Sequence, residues 1–284
     1  MNKANGDMCA ASATNLPLGP AAQERLLRER LSAIRHTVFV TSGKGGVGKS
    51  SVTVNLAVAL ADQGWRVGVL DADFHGPSIV NMLGLQDRCL ATGPHSIVPL
   101  QYGDRLRVMS MDGLLECRDD PVMWRGPQKT SAIRQFLRDV EWGPLDVLLI
   151  DSPPGTTDEH MTVLSTLPRA WCVLVTTPQE ISLADVRKAA GYLHRVKARI
   201  LGLVENMSGL SCPHCGREID VFRKGGGRLL AEDRNIPFLG AIPLDVAAVV
   251  ASDRGEPVVR LEASEAREAF LALAGRIRAR LEQD

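Results

Sequence analysis

The sequence has no excess of charge of either sign and no hydrophobic run long enough to cross a membrane. Its 284 residues include 33 Lys and Arg and 33 Asp and Glu, so the formal net charge is zero. Such a balance gives no electrostatic footprint for nucleic acid and no general attraction to anionic lipid. No stretch approaches the ~18 apolar residues that a membrane helix requires. The composition therefore predicts no nucleic-acid partner and no membrane partner.

The amino-terminal segment also lacks the features of a secretory signal. Residues 1–20 carry one lysine, with no apolar run after it, whereas a signal peptide needs such a run. The segment is small, polar and interrupted by Pro17 and Pro20, which predicts a flexible tail over residues 1–20. We expect a cytoplasmic protein with one folded domain over residues 21–284.

Cysteine is sparse, and only one pair has a metal-binding spacing. The six cysteines are Cys9, Cys89, Cys117, Cys172, Cys212 and Cys215. In a reducing compartment a CxxC pair indicates metal or redox chemistry rather than a structural disulfide. Cys212 and Cys215 form that pair, in a turn-rich loop over residues 210–216. We expect the other cysteines to be packed or simply exposed, with Cys172 inside a buried strand.

Apolar runs alternate along the chain with segments of helical periodicity. The predicted strands are 37–42, 66–73, 146–151, 170–177, 199–206 and a weaker 238–243. The predicted helices are 21–35, 49–63, 127–140, 182–196, 244–253 and 264–284. Continuous apolarity indicates strands that are covered on both faces. Their alternation with helices predicts an α/β fold with a doubly wound, mainly parallel sheet.

A glycine-rich loop lies between the first predicted strand and the following helix. Gly43, Gly48, Lys49 and Ser50 satisfy the pattern G-x-x-x-x-G-K-[ST]. Backbone N–H groups of such a loop close around phosphate oxygens, and the helix directs its positive end to the same place. Lys49 should reach the β- and γ-phosphates of ATP, and Ser50 should hold Mg²⁺. The predicted nucleotide-binding residues of this loop are Gly43, Lys44, Gly45, Gly46, Val47, Gly48, Lys49, Ser50 and Ser51.

Three acidic residues end two of the predicted strands. Asp71 and Asp73 end one strand, and Asp151 ends another. A carboxylate at such a strand end, near bound phosphate, could orient water or help to place a metal ion. Any one of them alone could equally cap a helix or a turn. Their order after the glycine-rich loop favours a role in the nucleotide site.

The stretch "GKGGVGKS" carries a second lysine, Lys44, directly after the first glycine. It resembles the deviant Walker A motif of the MinD, ParA and nitrogenase iron protein class. That resemblance implies that Lys44 reaches across a dimer interface to the partner's nucleotide, where a cation stabilises the transferring phosphoryl group. It also implies that Asp73 orients water with support from Asp71, that Asp151 binds Mg²⁺ through water, and that the Gly155 N–H senses the γ-phosphate. The predicted catalytic residues are thus Lys44, Lys49, Asp73 and Asp151.

Two later segments resemble the adenine-binding parts of the same class. "VENMS" places Asn206 at a strand end, where its amide could meet the base. "IPLD" offers Pro243 for packing and Asp245 for a hydrogen bond. Asn and Asp also end strands for purely local reasons.

The CxxC pair provides only two of the about four ligands that a closed zinc or [4Fe–4S] site needs. There is no second CxxC, and we expect His214, between the cysteines, to point away. An isologous dimer contacts itself through the same patch, so a two-fold axis could bring Cys212 and Cys215 together with their copies in a partner. The pair therefore predicts a metal site shared by two subunits.

Four segments then resemble signature stretches of the Mrp/ApbC family of iron–sulfur carrier ATPases: "MWRGPQKTSAIRQFLRDVEWGPLDVLLIDSPPGTTDEH", "ENMSGLSCPHCG", "KGGGRLLAE" and "PFLGAIPLD". The resemblance spans about residues 36 to 260. It implies a homodimer that receives a [4Fe–4S] cluster from a donor, binds it through Cys212 and Cys215, and passes it to apo-proteins under the control of ATP. The chain departs from the family pattern within residues 155–158 and 221–223, and neither departure changes a proposed ligand; they bear only on the fine behaviour of the switch segments.

Three other functions remain open from the sequence. A MinD- or ParA-like positioning ATPase would need a basic tail or a basic face, and the charge balance offers neither. A structural Zn²⁺ could occupy the same four-cysteine site. A thioredoxin-like dithiol would need a helix amino terminus to lower the thiol pKa, and none is predicted there.

Overall fold

A mainly parallel sheet runs through the centre of the molecule. The computed structural model describes residues 18–74, 76–93, 96–114, 124–155, 157–212, 214–262 and 264–284. The strands within these ranges are β1 (Ile34–Ser42), β2 (Val67–Asp71), β3 (Ala91–Gly93), β4 (Ser96–Val98), β5 (Leu100–Tyr102), β6 (Leu106–Met109), β7 (Leu145–Asp151), β8 (Trp171–Thr176), β9 (Arg199–Glu205), β10 (Leu210–Ser211), β11 (Glu218–Ile219) and β12 (Phe238–Ala241).

Eight of these strands form the main sheet, in the order β12-β9-β8-β1-β7-β2-β6-β5. Every neighbouring pair is parallel except β5 and β6 at one edge, which are antiparallel. β3 with β4 and β10 with β11 form two small antiparallel sheets outside it. Parallel neighbours require crossover connections, and helices supply most of them.

The helices cover both faces of the sheet. They are α1 (Pro20–Ser32), α2 (Lys49–Asp62), α3 (Ile79–Met82), α4 (Gly126–Asp139), α5 (Asp158–Thr166), α6 (Glu180–Arg195), α7 (Gly226–Asp233), α8 (Val246–Asp253) and α9 (Glu265–Glu282). None of the helices in the described ranges has the length and apolarity to span a membrane.

The core explains why the strand sequences are apolar without alternation. Phe39 of β1, Leu70 of β2 and Leu148 of β7 are fully buried, because helices pack on both faces of these central strands. α2 is buried nearly all round, since it lies against the sheet and is covered by α9. Phe270 and Ile277 of α9 complete the hydrophobic layer above α2.

The predicted α/β fold with its doubly wound sheet is confirmed, as are all six predicted strands. The prediction missed the edge strand β5 and its neighbour β6. It also missed the helices α5 and α7 and the short elements α3, β3, β4, β10 and β11. Residues 1–17 of the predicted tail lie outside the described residues, and α1 begins at Pro20.

Candidate nucleotide site and cysteine loop

The predicted site residues lie at the edge of the sheet that is formed by the carboxyl ends of its parallel strands. β1, β2, β7, β9 and β12 are parallel, so their carboxyl ends meet there. The glycine-rich loop follows β1, the acidic residues end β2 and β7, and the cysteine loop follows β9. The fold therefore places the predicted nucleotide and metal residues on a common face of the molecule.

The glycine-rich loop is packed so closely that side chains are excluded at two of its positions. A Cβ atom at Gly43 would lie 2.2 Å from the backbone carbon of Asp185 in α6. Gly48 has a φ of +83°, and a Cβ atom there would lie 2.2 Å from the Nδ2 atom of Asn206. α2 begins at the next residue, so its amino-terminal N–H groups face the loop. This arrangement fits a phosphate cradle.

A buried carboxylate stands at the base of this cradle. The Asp151 side chain accepts hydrogen bonds from Ser50 Oγ at 2.5 Å and from Thr53 Oγ1 at 3.0 Å. Burial raises the pKa of Asp151 to about 6, although the Ser50 bond, the Lys49 charge and the Thr53 bond oppose that shift. Serine hydroxyl and carboxylate oxygens suit Mg²⁺, so Ser50 and Asp151 fit the expected metal position.

A second buried carboxylate, Asp71, lies beside Asp151. The two residues are register partners on the neighbouring strands β2 and β7. Burial, and then repulsion by Asp151, raises the pKa of Asp71 well above its ordinary value. Asp71 accepts hydrogen bonds from Ser110 Oγ at 3.2 Å and from the Asp73 N–H at 3.1 Å. Asp71 therefore holds the backbone of Asp73. Its supporting role in catalysis stays a prediction.

The residues predicted to sense or complete the γ-phosphate site are less enclosed. Gly155 has a φ of +85° and open space where a Cβ atom would lie. Lys44 is half-buried, and among the described residues its side chain has no hydrogen-bond or ion-pair partner. The Lys44 carbonyl accepts a hydrogen bond from Ser42 Oγ at 2.6 Å, which fixes the backbone and leaves the ammonium group available.

The residues predicted to contact adenine have local roles in the protein. Asn206 donates from Nδ2 to the Val47 carbonyl at 2.9 Å, which joins the end of β9 to the phosphate loop. Asp245 caps α8 by accepting from the Ala247 N–H at 2.9 Å, and it accepts from Ser264 Oγ at 2.6 Å. Pro243 is half-buried. Contact of these three residues with adenine stays a prediction.

The cysteine loop projects from the same edge. The Cys212 N–H donates to the Arg217 carbonyl, and the Gly216 N–H returns to the Cys212 carbonyl, both at 2.9 Å. Hydrogen bonds to its sulfur lower the pKa of the Cys212 thiol. The largest effect comes from the His214 N–H group, then from the Cys215 N–H group and the Cys215 thiol. The thiolate is the form that ligates metals. Cys215 is exposed, and no group of three or more His, Cys, Asp or Glu within the described part of the chain could hold a metal ion.

The other cysteines of the described chain lie away from this loop. Cys172 is buried in β8, where burial raises its pKa to about 12, so the prediction of a packed thiol is confirmed. Cys89 is exposed. Cys9 and Cys117 lie outside the described residues.

The sequence reasoning missed Glu205, which fixes the base of the cysteine loop. This carboxylate is fully buried at the end of β9 and accepts from Ser208 Oγ at 2.5 Å, from the Gly225 N–H at 2.8 Å and from the Gly227 N–H. It therefore joins both ends of the segment that carries the cysteines. A charged residue at the end of an apolar strand was the available signal, together with the glycines before α7.

The family model described as the NUBPL iron-transfer P-loop NTPase, of the ParA group, matches residues 33–278. The chain belongs to this family. It is a P-loop NTPase, and the family assignment agrees with the phosphate loop and the buried Asp151 described above.

Individual relatives match this chain over most of its length. An iron–sulfur cluster carrier protein of Methanocaldococcus jannaschii is 48% identical over 258 residues, 90% of this chain and 89% of the relative. The cytosolic Fe–S cluster assembly factor CFD1 of Eremothecium gossypii is 46% identical over 245 residues, 82% of this chain and 87% of the relative.

Solved structures give the same result for the fold. A nucleotide-binding protein of Archaeoglobus fulgidus in complex with ADP has a TM-score of 0.74 and 40% identity, covering 85% of this chain and 95% of that one. The cell division ATPase MinD of Pyrococcus furiosus has a TM-score of 0.61 and 27% identity, covering 86% and 98%. The predicted resemblance to the MinD and ParA class is confirmed.

Proposed function

We propose that the protein is an iron–sulfur cluster carrier that acts as a homodimer. Two subunits hold one [4Fe–4S] cluster, as cargo, between their Cys212 and Cys215 thiolates. Binding and hydrolysis of ATP control its receipt from a donor and its transfer to apo-proteins. The names of the two relatives support this assignment. We also propose a location in the cytosol, in line with the name of the Eremothecium gossypii relative.

The observation that carries the proposal is a pair of accessible thiols with no further ligand nearby. A [4Fe–4S] cluster takes four thiolates, whereas the loop offers Cys212 and Cys215, and the described residues add no third donor. A second copy related by a two-fold axis supplies the missing pair at the same position. Hydrogen bonds from N–H groups to the Cys212 sulfur favour the thiolate that the cluster requires.

The surface around the cysteines supports a second copy as the partner. Val246, Val249 and Val250 form an exposed apolar stripe on α8, each between 45% and 54% exposed. Val246 also lines a cavity of about 400 Å³ together with Cys212 and His214. Exposed apolar patches of this kind mark interaction sites. An isologous dimer that pairs the cysteines covers these flanking valines at the same time.

The geometry at the carboxyl ends of the strands supports the nucleotide roles that we propose. Ser50 and Asp151 hold Mg²⁺ on the phosphates, and Lys49 faces the β- and γ-phosphates. Asp73, held by Asp71, orients the attacking water. Lys44 extends to the nucleotide of the partner subunit, which makes hydrolysis depend on the dimer.

Anaerobic reconstitution with iron and sulfide tests the proposal. We expect a brown dimer with four irons per two chains, the visible absorption of a [4Fe–4S] cluster, and transfer of that cluster to an apo-ferredoxin. Metal analysis of the protein as purified distinguishes the cluster from structural Zn²⁺ in the same position.

Two results would overturn it. A protein that stays colourless and binds no iron under these conditions is not a carrier. ATP-dependent co-sedimentation with liposomes or DNA would instead indicate a positioning ATPase.

A further inference from the structure

A buried histidine joins the segment after β7 to the strand that carries the phosphate loop. His160 lies in the first turn of α5 and is 1% exposed. Its Nε2 atom is 3.0 Å from Thr41 Oγ1, near the end of β1. Its Nδ1 atom accepts from the Thr157 N–H at 3.3 Å. One side chain thus caps the start of its own helix and joins that helix to β1.

The hydrogen bonds fix the protonation state of this ring. Because the Thr157 N–H can only donate, Nδ1 must carry a lone pair, and in the neutral ring the proton then lies on Nε2. The Nε2–H group donates to Thr41 Oγ1. Burial lowers the pKa of His160 to about 4, so the ring is neutral at physiological pH. The edge-to-face contact with Phe39, with ring centroids 5.2 Å apart, holds the imidazole plane.

The segment between Asp151 and Thr157 therefore has both ends attached to the phosphate-binding elements. Asp151 is bound by Ser50 and Thr53 of α2. Thr157 is bound through His160 to Thr41 of β1, two residues before Gly43. Gly155 lies between these attachments, with open space beside it. Because Gly155 is only two residues from Thr157, a fixed Thr157 limits the positions that the Gly155 N–H group can take.

We propose that His160 is a positioning residue for ATP hydrolysis. Through its two hydrogen bonds it sets the position of Gly155 relative to the phosphate loop. This inference rests on the proposed role of Gly155 as the residue that senses the γ-phosphate. His160 does not touch the nucleotide, and its effect passes through Thr157 and Thr41.

Kinetics of matched variants test this role. His160→Phe keeps an aromatic ring against Phe39 and removes both hydrogen bonds, and Thr41→Val removes only the hydroxyl. We expect each to lower kcat about tenfold, less than the roughly 100-fold cost of a full 1 Å misplacement, while the affinity for ADP changes less than about twofold. The double variant should be no slower than His160→Phe, because both changes break one connection.

A conservative variant keeps the test decisive if His160→Phe folds poorly. His160→Gln can restore a donor to Thr41, so it should recover part of kcat. Unchanged kcat in both His160 variants would overturn the inference, and so would equal losses of kcat and ADP affinity, which indicate a purely structural role. Wild-type protein that does not hydrolyse ATP would contradict the proposed function itself.

Discussion

The phosphate loop and the cysteine loop lie on the same edge of the sheet but differ in completeness. Around the phosphate loop, Asp71 and Asp151 are buried and accept hydrogen bonds from three side chains, two from α2 and one directly after β6. In the cysteine loop, Cys215 is exposed and the described residues provide no further metal ligand. The described part of one chain therefore has an enclosed nucleotide site, whereas under the proposed function a second copy is needed to complete the metal site.

The largest effect is expected from removing the thiols. Cys212→Ser or Cys215→Ser leaves two of four ligands in a symmetric dimer, so reconstituted protein should lose essentially all of its iron and its visible absorption. Iron content per chain is the measurement. Cys89→Ser, at another exposed cysteine, should keep the full cluster. Retention of iron by both loop variants would show that the metal site lies elsewhere.

The next largest effect is expected in the phosphate loop. Lys49→Ala removes a buried ammonium group that should stabilise charge on the phosphates, and kcat for ATP should fall about 100-fold or more. Lys188→Ala, at an exposed lysine of α6, is the matched control and should retain full activity. Cluster binding by Lys49→Ala protein should persist, since its cysteines are intact. Simultaneous loss of cluster and hydrolysis would contradict the separation of the two sites.

The apolar stripe of α8 tests whether a second copy completes the cysteine site. Val249→Glu places a charge on that stripe, and we expect the cluster content and the dimer fraction to fall about tenfold, because an interface desolvates the carboxylate. Analytical ultracentrifugation with iron analysis measures both quantities.

Leu229→Glu is the control for this substitution, since Leu229 is 67% exposed on α7. It should dimerise normally. A Val249→Glu protein that keeps its cluster and dimer but fails to transfer the cluster would assign the stripe to the recipient protein.

The pKa of Asp151 predicts a pH dependence confined to the nucleotide site. With a pKa of about 6, Asp151 becomes protonated below that pH and can no longer bind Mg²⁺ as a carboxylate. The Mg²⁺ concentration for half-maximal hydrolysis should therefore rise about tenfold per pH unit below pH 6.

Mg²⁺ binding should improve as the pH rises, whereas the stability of the metal-free protein should fall. Because folding raises this pKa, the contribution of Asp151 is most favourable at low pH and is lost as the pH rises through about 6. Chemical denaturation between about pH 4 and pH 7 measures it, because the two states differ in proton binding between the ordinary pKa and about 6, and Asp151→Asn should flatten that part of the profile. A wild-type profile that matches Asp151→Asn over this range would refute the assignment.

The smallest effect concerns the base of the cysteine loop. Glu205→Gln weakens a charged acceptor of three hydrogen bonds, so the free energy of unfolding should fall by about 2 kcal/mol. The cluster should dissociate several times faster, because both ends of the loop lose a common attachment. Glu218→Gln, at an exposed residue of β11, should change neither quantity appreciably. Equal cluster lifetimes in the two variants would refute the role of Glu205.

How far the sequence predicts each region depends on how local the relevant interactions are. The phosphate loop is contiguous, so its glycines, Lys49 and Ser50 are readable from their spacing. β5 and β6 have three and four residues, too few for a periodic pattern. The contact between Thr41 and His160 joins residues 119 positions apart. The three bonds of Glu205 depend on how α7 returns to β9, which no local pattern encodes.

The contact between Gly48 and Asn206 links the phosphate loop to the segment that leads to the cysteine loop. Nδ2 of Asn206 occupies the place where a residue larger than glycine at position 48 would put its Cβ atom. Cys212 follows Asn206 by six residues along the chain. A substitution such as Gly48→Ala would displace Asn206, which lies against the phosphate loop and begins the segment that leads to Cys212. We therefore expect this one substitution to reduce both ATP hydrolysis and cluster binding.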